Sequence, residues 1–322
     1  MVSDAACARA HAEVDARTTE RVDSALDVST RHVRIGLLLA DYMDKIEWMQ
    51  DLTDKWGSHD TWFRDFFCVN VPDAYYNTPT SRVHVSITHF DCWSQQLPTT
   101  EDLADLDCCI ITGSRNAAYE THPWILHLAE WIRTHHTKTK LIGFCFGHQI
   151  INQALGGSVT VNPQGIEEGT ATISLAPAFH RIFKTEKLAM RLCLGHQDYV
   201  ETPIPSGEVL GSTDRCAVQG VSYGETVLTF QPHPEILAGA MIDMLDRRWE
   251  NLAKSKEMYT NGEVMSADTY AALRDDLSDA VDRGVDDLWV GAKILGWIMD
   301  DVEGDEVLMQ RRARIEASKG EK

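Results

Sequence analysis

The chain has 322 residues, 43% of them hydrophobic and 25% charged, enough to bury a full core without a disulfide or a structural metal. Its 49 acidic side chains against 30 basic ones leave a formal charge of −19. That argues against nucleic acid or an anionic membrane surface as the main partner, since both need a cationic footprint.

Residues 1–31 read as an acidic, helix-prone extension, with no apolar segment that would mark a secretory signal. No apolar run in the chain approaches the ~20 residues needed to span a bilayer, so a cytoplasmic protein is expected. Val33 to Leu39 form the first strand, a short run suited to burial on both faces. A helical pattern follows over about 44–67, carrying Ile46, Met49, Leu52, Trp56, Phe63 and Phe67, with Gly57 as an interruption. Residues 83–87 alternate as a strand should, and 107–112 form another buried strand ending at Gly113-Ser114-Arg115. Neighbouring Cys108 and Cys109 should therefore point to opposite faces. An amphipathic helix over 122–136 is followed by a fourth strand at 140–144 and a helix over 149–155.

Strands alternating with helices of this length imply right-handed βαβ units and a mostly parallel α/β sheet with helices on both faces. After residue 157, short strand-like pieces at 171–175, 190–194, 207–211, 216–221 and 226–230 suggest a small antiparallel addition. A helix resumes over 234–248. The expected organisation is an extension at 1–31, one domain at 32–250, and a helical C-terminal extension at 251–322. In that last segment Val285, Leu288, Trp289, Ala292, Leu295 and Met299 mark one amphipathic helix packed on the body. The acidic run 300–306 and the charged end 311–322 read as solvated or disordered.

The eight cysteines include no C-x-x-C pair and no clustered ligands, so neither a zinc site nor another cofactor is expected. One cysteine stands apart. Gly143-Phe144-Cys145-Phe146-Gly147 lies between a strand and a helix, the sulfur version of the G-x-S-x-G nucleophile elbow. The flanking glycines permit a tight turn, and the helix N-terminus favours a thiolate over a thiol. Downstream, Gln231-Pro232-His233-Pro234-Glu235 follows a strand, and residues two apart in an extended stretch project to one side. Glu235 can thus orient His233, and His233 can serve as the base for Cys145.

With these residues the chain resembles the class I glutamine amidotransferase family, through GFCFGHQ at 143–149, ALGG at 154–157, GHQD at 195–198 and QPHPE at 231–235. The segment ITGSRNAAYE at 111–120, followed by PWI, is similar to the stand-alone branch that includes γ-glutamyl peptidases and fungal amidotransferase-like proteins. The resemblance implies a flavodoxin-like fold, with Cys145 as nucleophile, His233 as general acid/base and Glu235 as its orienter. It implies an oxyanion hole from the backbone N–H of Phe146 and one from the Gly113–Ser114 turn. It also matches Gln149 and the His196-Gln197-Asp198 loop to positions that hold the amino and carboxylate end of a glutamyl substrate. From the residues alone, Asp198 can accept from an ammonium, while Gln149 is equally explicable as a helix-surface amide. Where relatives carry Gly-Trp-Glu, this chain has Gly165-Ile166-Glu167, so the pocket wall near Ile166 should differ.

These features imply cysteine-dependent hydrolysis of a small γ-glutamyl amide. There is no P-loop and no ATP-pyrophosphatase loop, so any released ammonia would go to water or to a separate ammonia-accepting enzyme. A catalytically silent binding protein on the same fold is the contrasting reading.

Overall fold

The computed structural model describes residues 29–45, 49–255 and 265–320, so nearly all of the N-terminal extension lies outside the described residues. The strands are β1 (Ser29–Leu39), β2 (Ser81–Asp91), β3 (Cys108–Ile111), β4 (Lys140–Phe144), β5 (Ser158–Val161), β6 (Glu167–Leu175), β7 (Ala189–His196), β8 (Asp198–Thr202), β9 (Glu208–Ser212), β10 (Gly220–Tyr223) and β11 (Val227–Phe230). Nine of these form one sheet in the order β2-β1-β3-β4-β11-β10-β9-β6-β7. Its first five strands are all parallel, in the 2-1-3-4-5 order of a flavodoxin-like sheet. The other four continue it in antiparallel pairs, and β5 and β8 make a separate antiparallel ribbon. The expected antiparallel addition is thus an extension of the main sheet.

The helices are α1 (Gln50–Trp56), α2 (His59–Phe63), α3 (Thr100–Asp105), α4 (Pro123–His135), α5 (Phe146–Ala154), α6 (Pro177–Phe183), α7 (Ala238–Ser255), α8 (Ala267–Arg283), α9 (Asp287–Ile298) and α10 (Asp305–Gly320). The two-residue period of the strands sorts the core into two layers. Ile35, Leu37, Cys108, Ile110, Ile142 and Phe144 face one side, under α6 and α9. Leu38, Cys109, Ile111 and Leu141 face the other, under α4 and α5. Cys108 and Cys109 do point opposite ways. A third cluster, built on Met43, Leu52, Trp62, Ile236 and Met241, seals the carboxyl end of the sheet against α7 and α8.

The single helix expected over 44–67 is broken. Gly57 ends α1 at φ 75°, with its N–H bonded to Thr53, and α2 runs into wider π-helical turns at Arg64–Asn70 and Pro72–Tyr76. Glycine is needed here because a Cβ would sit 2.4 Å from the Thr61 side chain. The helix expected at 234 begins at Ala238, because Pro232 and Pro234 hold the intervening segment out of helix.

The helix marked by Val285 to Met299 packs on the body, as expected. Helix α9 lies within the main core, where Phe66 packs so closely on Gly291 that a Cβ there would come within 2.4 Å of its ring. Of the segments expected to be solvated or disordered, 300–306 and 311–322, residues 305–306 and 311–320 instead belong to α10, in which Leu308 and Ile315 are buried. Apolar residues seven apart supply the buried stripe that the charge count of this segment hides.

Candidate active site

Parallel pairing sets Phe144 beside Phe230, so β4 and β11 end together at the carboxyl edge of the sheet. Cys145 follows at once, with its N–H bonded to the Phe230 carbonyl at 2.9 Å. The chain then reverses into α5. Cys145 takes φ 49° and ψ −105°, a conformation that non-glycine residues rarely hold and that projects the side chain from a tight elbow. A Cβ on Gly143 would lie 2.4 Å from the Gly147 backbone, and one on Gly147 would lie 2.2 Å from the Ile111 carbonyl oxygen. Both glycines are therefore steric requirements of the elbow.

Beyond β11, the His233 N–H bonds the Cys193 carbonyl at 2.9 Å, which fixes the backbone of the turn. The His233 Nδ1 lies 2.7 Å from Glu235 Oε1, and both side chains are buried. Burial alone would lower the pKa of the imidazole. The charges of Glu235 and Cys145, with hydrogen bonds to both, raise it well above its ordinary value. The imidazole thus stands between the Glu235 carboxyl group and the Cys145 sulfur. Gly113 closes the site: a Cβ there would lie 3.0 Å from His233 Cε1 and 3.8 Å from Cys145 Cβ. Ser114 is next, half-buried. Phe146 opens α5, so its N–H belongs to the first-turn donors that have no acceptor within the helix.

The structure brings Cys145, His233, Glu235 and Gly113 together. Of the remaining candidates, Gln149 lies one helical turn on from Cys145, and Gln197 and Asp198 lie where β7 passes into β8. Gln149 is buried, donating to the Asp198 carbonyl at 2.8 Å and to Gln231 Oε1 at 3.1 Å, so it ties α5 to β8. Asp198 accepts from the Tyr119 hydroxyl at 3.2 Å, and burial, with Glu120 nearby, raises its pKa. Gln197 is half-buried, and its carbonyl accepts from the Asn162 N–H at 2.9 Å. His196 stands between the Asp198 carbonyl and Glu167, which is itself held by Thr213 and Gln219. Ile166 packs against the cluster containing Ile236, beside Glu235. Among the described residues no group of three or more His, Cys, Asp or Glu is placed to hold a metal ion. No described helix is long and apolar enough to cross a membrane.

Four further residues close to the site were not foreseen. Arg115 pairs with buried Asp41, His59 lies within electrostatic reach of the His233–Glu235 pair, and Tyr119 holds Asp198. The first two partners are 74 positions apart, and only the neighbouring ends of β1 and β3 bring them together.

A cysteine elbow beside a histidine–glutamate pair, on a flavodoxin-like sheet, defines a protein of the amidotransferase class. Residues 76–249, more than half of the chain, match the family model for glutamine amidotransferase class-I, and the chain belongs to that family. It is 34% identical over 142 residues to a glutamine amidotransferase-like protein of Schizosaccharomyces pombe, covering 43% of this chain and 56% of the relative. It is 31% identical over 157 residues to γ-glutamyl peptidase 2 of Arabidopsis thaliana, covering 47% of this chain and 62% of the relative. The match thus spans less than two thirds of either relative's length. The crystal structure of a glutamine amidotransferase from Thermotoga maritima superposes with a TM-score of 0.57 at 16% identity, over 83% of this chain and 99% of that one. That likeness concerns the fold alone.

Proposed function

We propose that the chain is a cysteine hydrolase of γ-glutamyl amides. The Cys145 thiolate adds to the γ-carbonyl carbon, and the oxyanion is met by the N–H groups of Phe146 and the Gly113–Ser114 turn, each worth about 3 kcal/mol in such a site. The His233 imidazolium gives its proton to the departing nitrogen as the C–N bond breaks, leaving a γ-glutamyl thioester. Neutral His233 then takes a proton from water, the hydroxide adds to the thioester carbonyl, and C–S cleavage frees glutamate and restores the thiolate. Glu235 orients the imidazole and stabilises its charge throughout. Gln149, Gln197 and Asp198 hold the glutamyl end in this reading, Asp198 accepting from the α-ammonium.

The observation that carries this reading is the buried His233–Glu235 hydrogen bond at 2.7 Å beside a cysteine held at φ 49°. The relative named a γ-glutamyl peptidase supports the same substrate class. The test offers glutamine, glutathione and a glutathione S-conjugate to the wild type and to Cys145→Ala, and measures glutamate. Release that depends on Cys145 from any of them is expected, with a γ-glutamyl adduct on Cys145 in intact-mass spectra after rapid quenching. Equal release by both proteins refutes the mechanism.

A further inference from the structure

Asp41, His59 and Arg115 stand beside the site, and the mechanism above uses none of them. Asp41 follows β1, and its side chain is 2% exposed. Its carboxylate accepts from the Arg115 backbone N–H at 2.9 Å, from Arg115 Nε at 2.9 Å and Nη2 at 3.0 Å, and from the Tyr42 N–H at 2.7 Å. Burial would raise the Asp41 pKa, but the Arg115 contacts hold it below its ordinary value. The Arg115 side chain, by contrast, is 54% exposed. Asp41 occupies the Nε–Nη2 edge of the guanidinium fork. Nη1 has no partner among the described residues, so the Nη1–Nη2 edge is available to a second carboxylate. His59 opens α2, is buried edge-on against Trp62, and has no partner at Nδ1 among the described residues. It lies within electrostatic reach of Asp41, Glu235, His233 and Arg115.

The mechanism gives these groups a side. His233 must face the departing nitrogen, so the leaving group occupies the side of Cys145 on which the imidazole stands. Arg115 directly follows the Gly113–Ser114 turn that lies on that imidazole. The hydrolase reading assigns the glutamyl end elsewhere, to the group around Gln149 and Asp198, which are joined by a hydrogen bond. Departing ammonia has nothing with which to engage a guanidinium. A departing amino acid has a carboxylate carbon two bonds from the nitrogen, and a short peptide carries a carboxylate at its end. An always-charged, partly anchored fork is suited to such a group.

Building on the hydrolase reading, we propose that Arg115, anchored by Asp41, is the specificity determinant for the leaving group: it binds a carboxylate on the departing amine, so the substrate is a γ-glutamyl amino acid or short γ-glutamyl peptide in preference to glutamine. His59, with no partner at Nδ1 among the described residues, lies within electrostatic reach of the same guanidinium.

The test uses substrate pairs that differ only in that carboxylate: γ-glutamyl-alanine against γ-glutamyl-alaninamide, and glutathione against its glycinamide analogue. The wild type is expected to favour the carboxylate in at least one pair by about ten- to a hundredfold in kcat/KM, carried mostly in KM. Removing Arg115 alone would strand a buried carboxylate, so the variant is Arg115→Gln with Asp41→Asn. Its preference ratio should fall to near one, and a ratio is insensitive to a general loss of activity. If the wild type cleaves both members of each pair equally, or the folded double variant keeps the preference, the assignment of Arg115 is overturned while the hydrolase reading stands. If no γ-glutamyl compound is cleaved, the hydrolase reading falls and this subsite with it. Should the double variant fail to fold, the wild-type ratios decide alone.

Discussion

Gly147→Ala is the sharpest test of the elbow. The new methyl would sit 2.2 Å from the Ile111 carbonyl oxygen and 2.9 Å from its carbonyl carbon. Relief to an ordinary contact requires about 1 Å of movement between α5 and β3 in a close-packed interior. Neither side can yield by rotating a side chain, since Ile111 is held in register with Leu38 of β1 and Gly143 of β4. Overpacking of this kind costs about 1–3 kcal/mol, or several degrees of melting temperature. The displacement also falls between Cys145 and Gly113, two residues beyond Ile111, where a 1 Å error costs about a hundredfold in rate. Two assays follow it: hydrolysis of γ-glutamyl substrate, and alkylation of Cys145 by iodoacetamide read on its peptide by mass spectrometry. The second has little competition from the other described thiols, since burial pushes Cys68 up to about 11 and Cys109, Cys193 and Cys216 up to about 12. Gly195→Ala is the control, because its methyl would make only an ordinary 3.6 Å contact with Met241. If Gly147→Ala melts, alkylates and hydrolyses like the wild type, the steric account of the elbow is wrong.

Glu235→Gln keeps the shape of the His233 partner and removes its charge, and should lower hydrolysis by roughly 10²–10⁴-fold. Because His233 is raised in the fold, the stability that its charged form contributes is full below the unfolded value of about 6.5 and is lost as pH rises through the raised value. The gap in melting temperature between wild type and Glu235→Gln should therefore be largest below about pH 6.5 and narrow above it; a gap that widens with pH would contradict the pairing. Leu308→Ala, at a fully buried position of α10, should destabilise by about 2–5 kcal/mol in a thermal melt, and a neutral result would place that helix outside the core.

The parallel half of the sheet was legible because strands buried on both faces leave nearly unbroken apolar runs, as at 107–112 and 140–144. The elbow and the His233–Glu235 pair were legible because their chemistry is local in sequence, either within five residues or two apart. Other features depend on distant partners. The ribbon of β5 and β8 is short, and although Ser158 to Val161 alternate, four residues between turns are too few to stand out as a strand. The Asp41–Arg115 pair exists only through the adjacency of β1 and β3, which neither residue announces. In α10 the charges over 311–320 outnumber Ile315, its one buried apolar side chain there, so that stretch reads as solvated in the sequence.

The seating of α9 has a consequence for how the protein is made. Phe63, Phe66 and Phe67 emerge from the ribosome early, yet one of the surfaces that covers them is α9, some 220 residues later. At roughly 5–20 residues per second, these rings and the strand face beneath them wait on the order of 10–50 s for that cover. A nascent chain in this state offers a sticky aromatic surface to its neighbours and to chaperones. A chain cut at residue 249, where the family match ends, would never outgrow it.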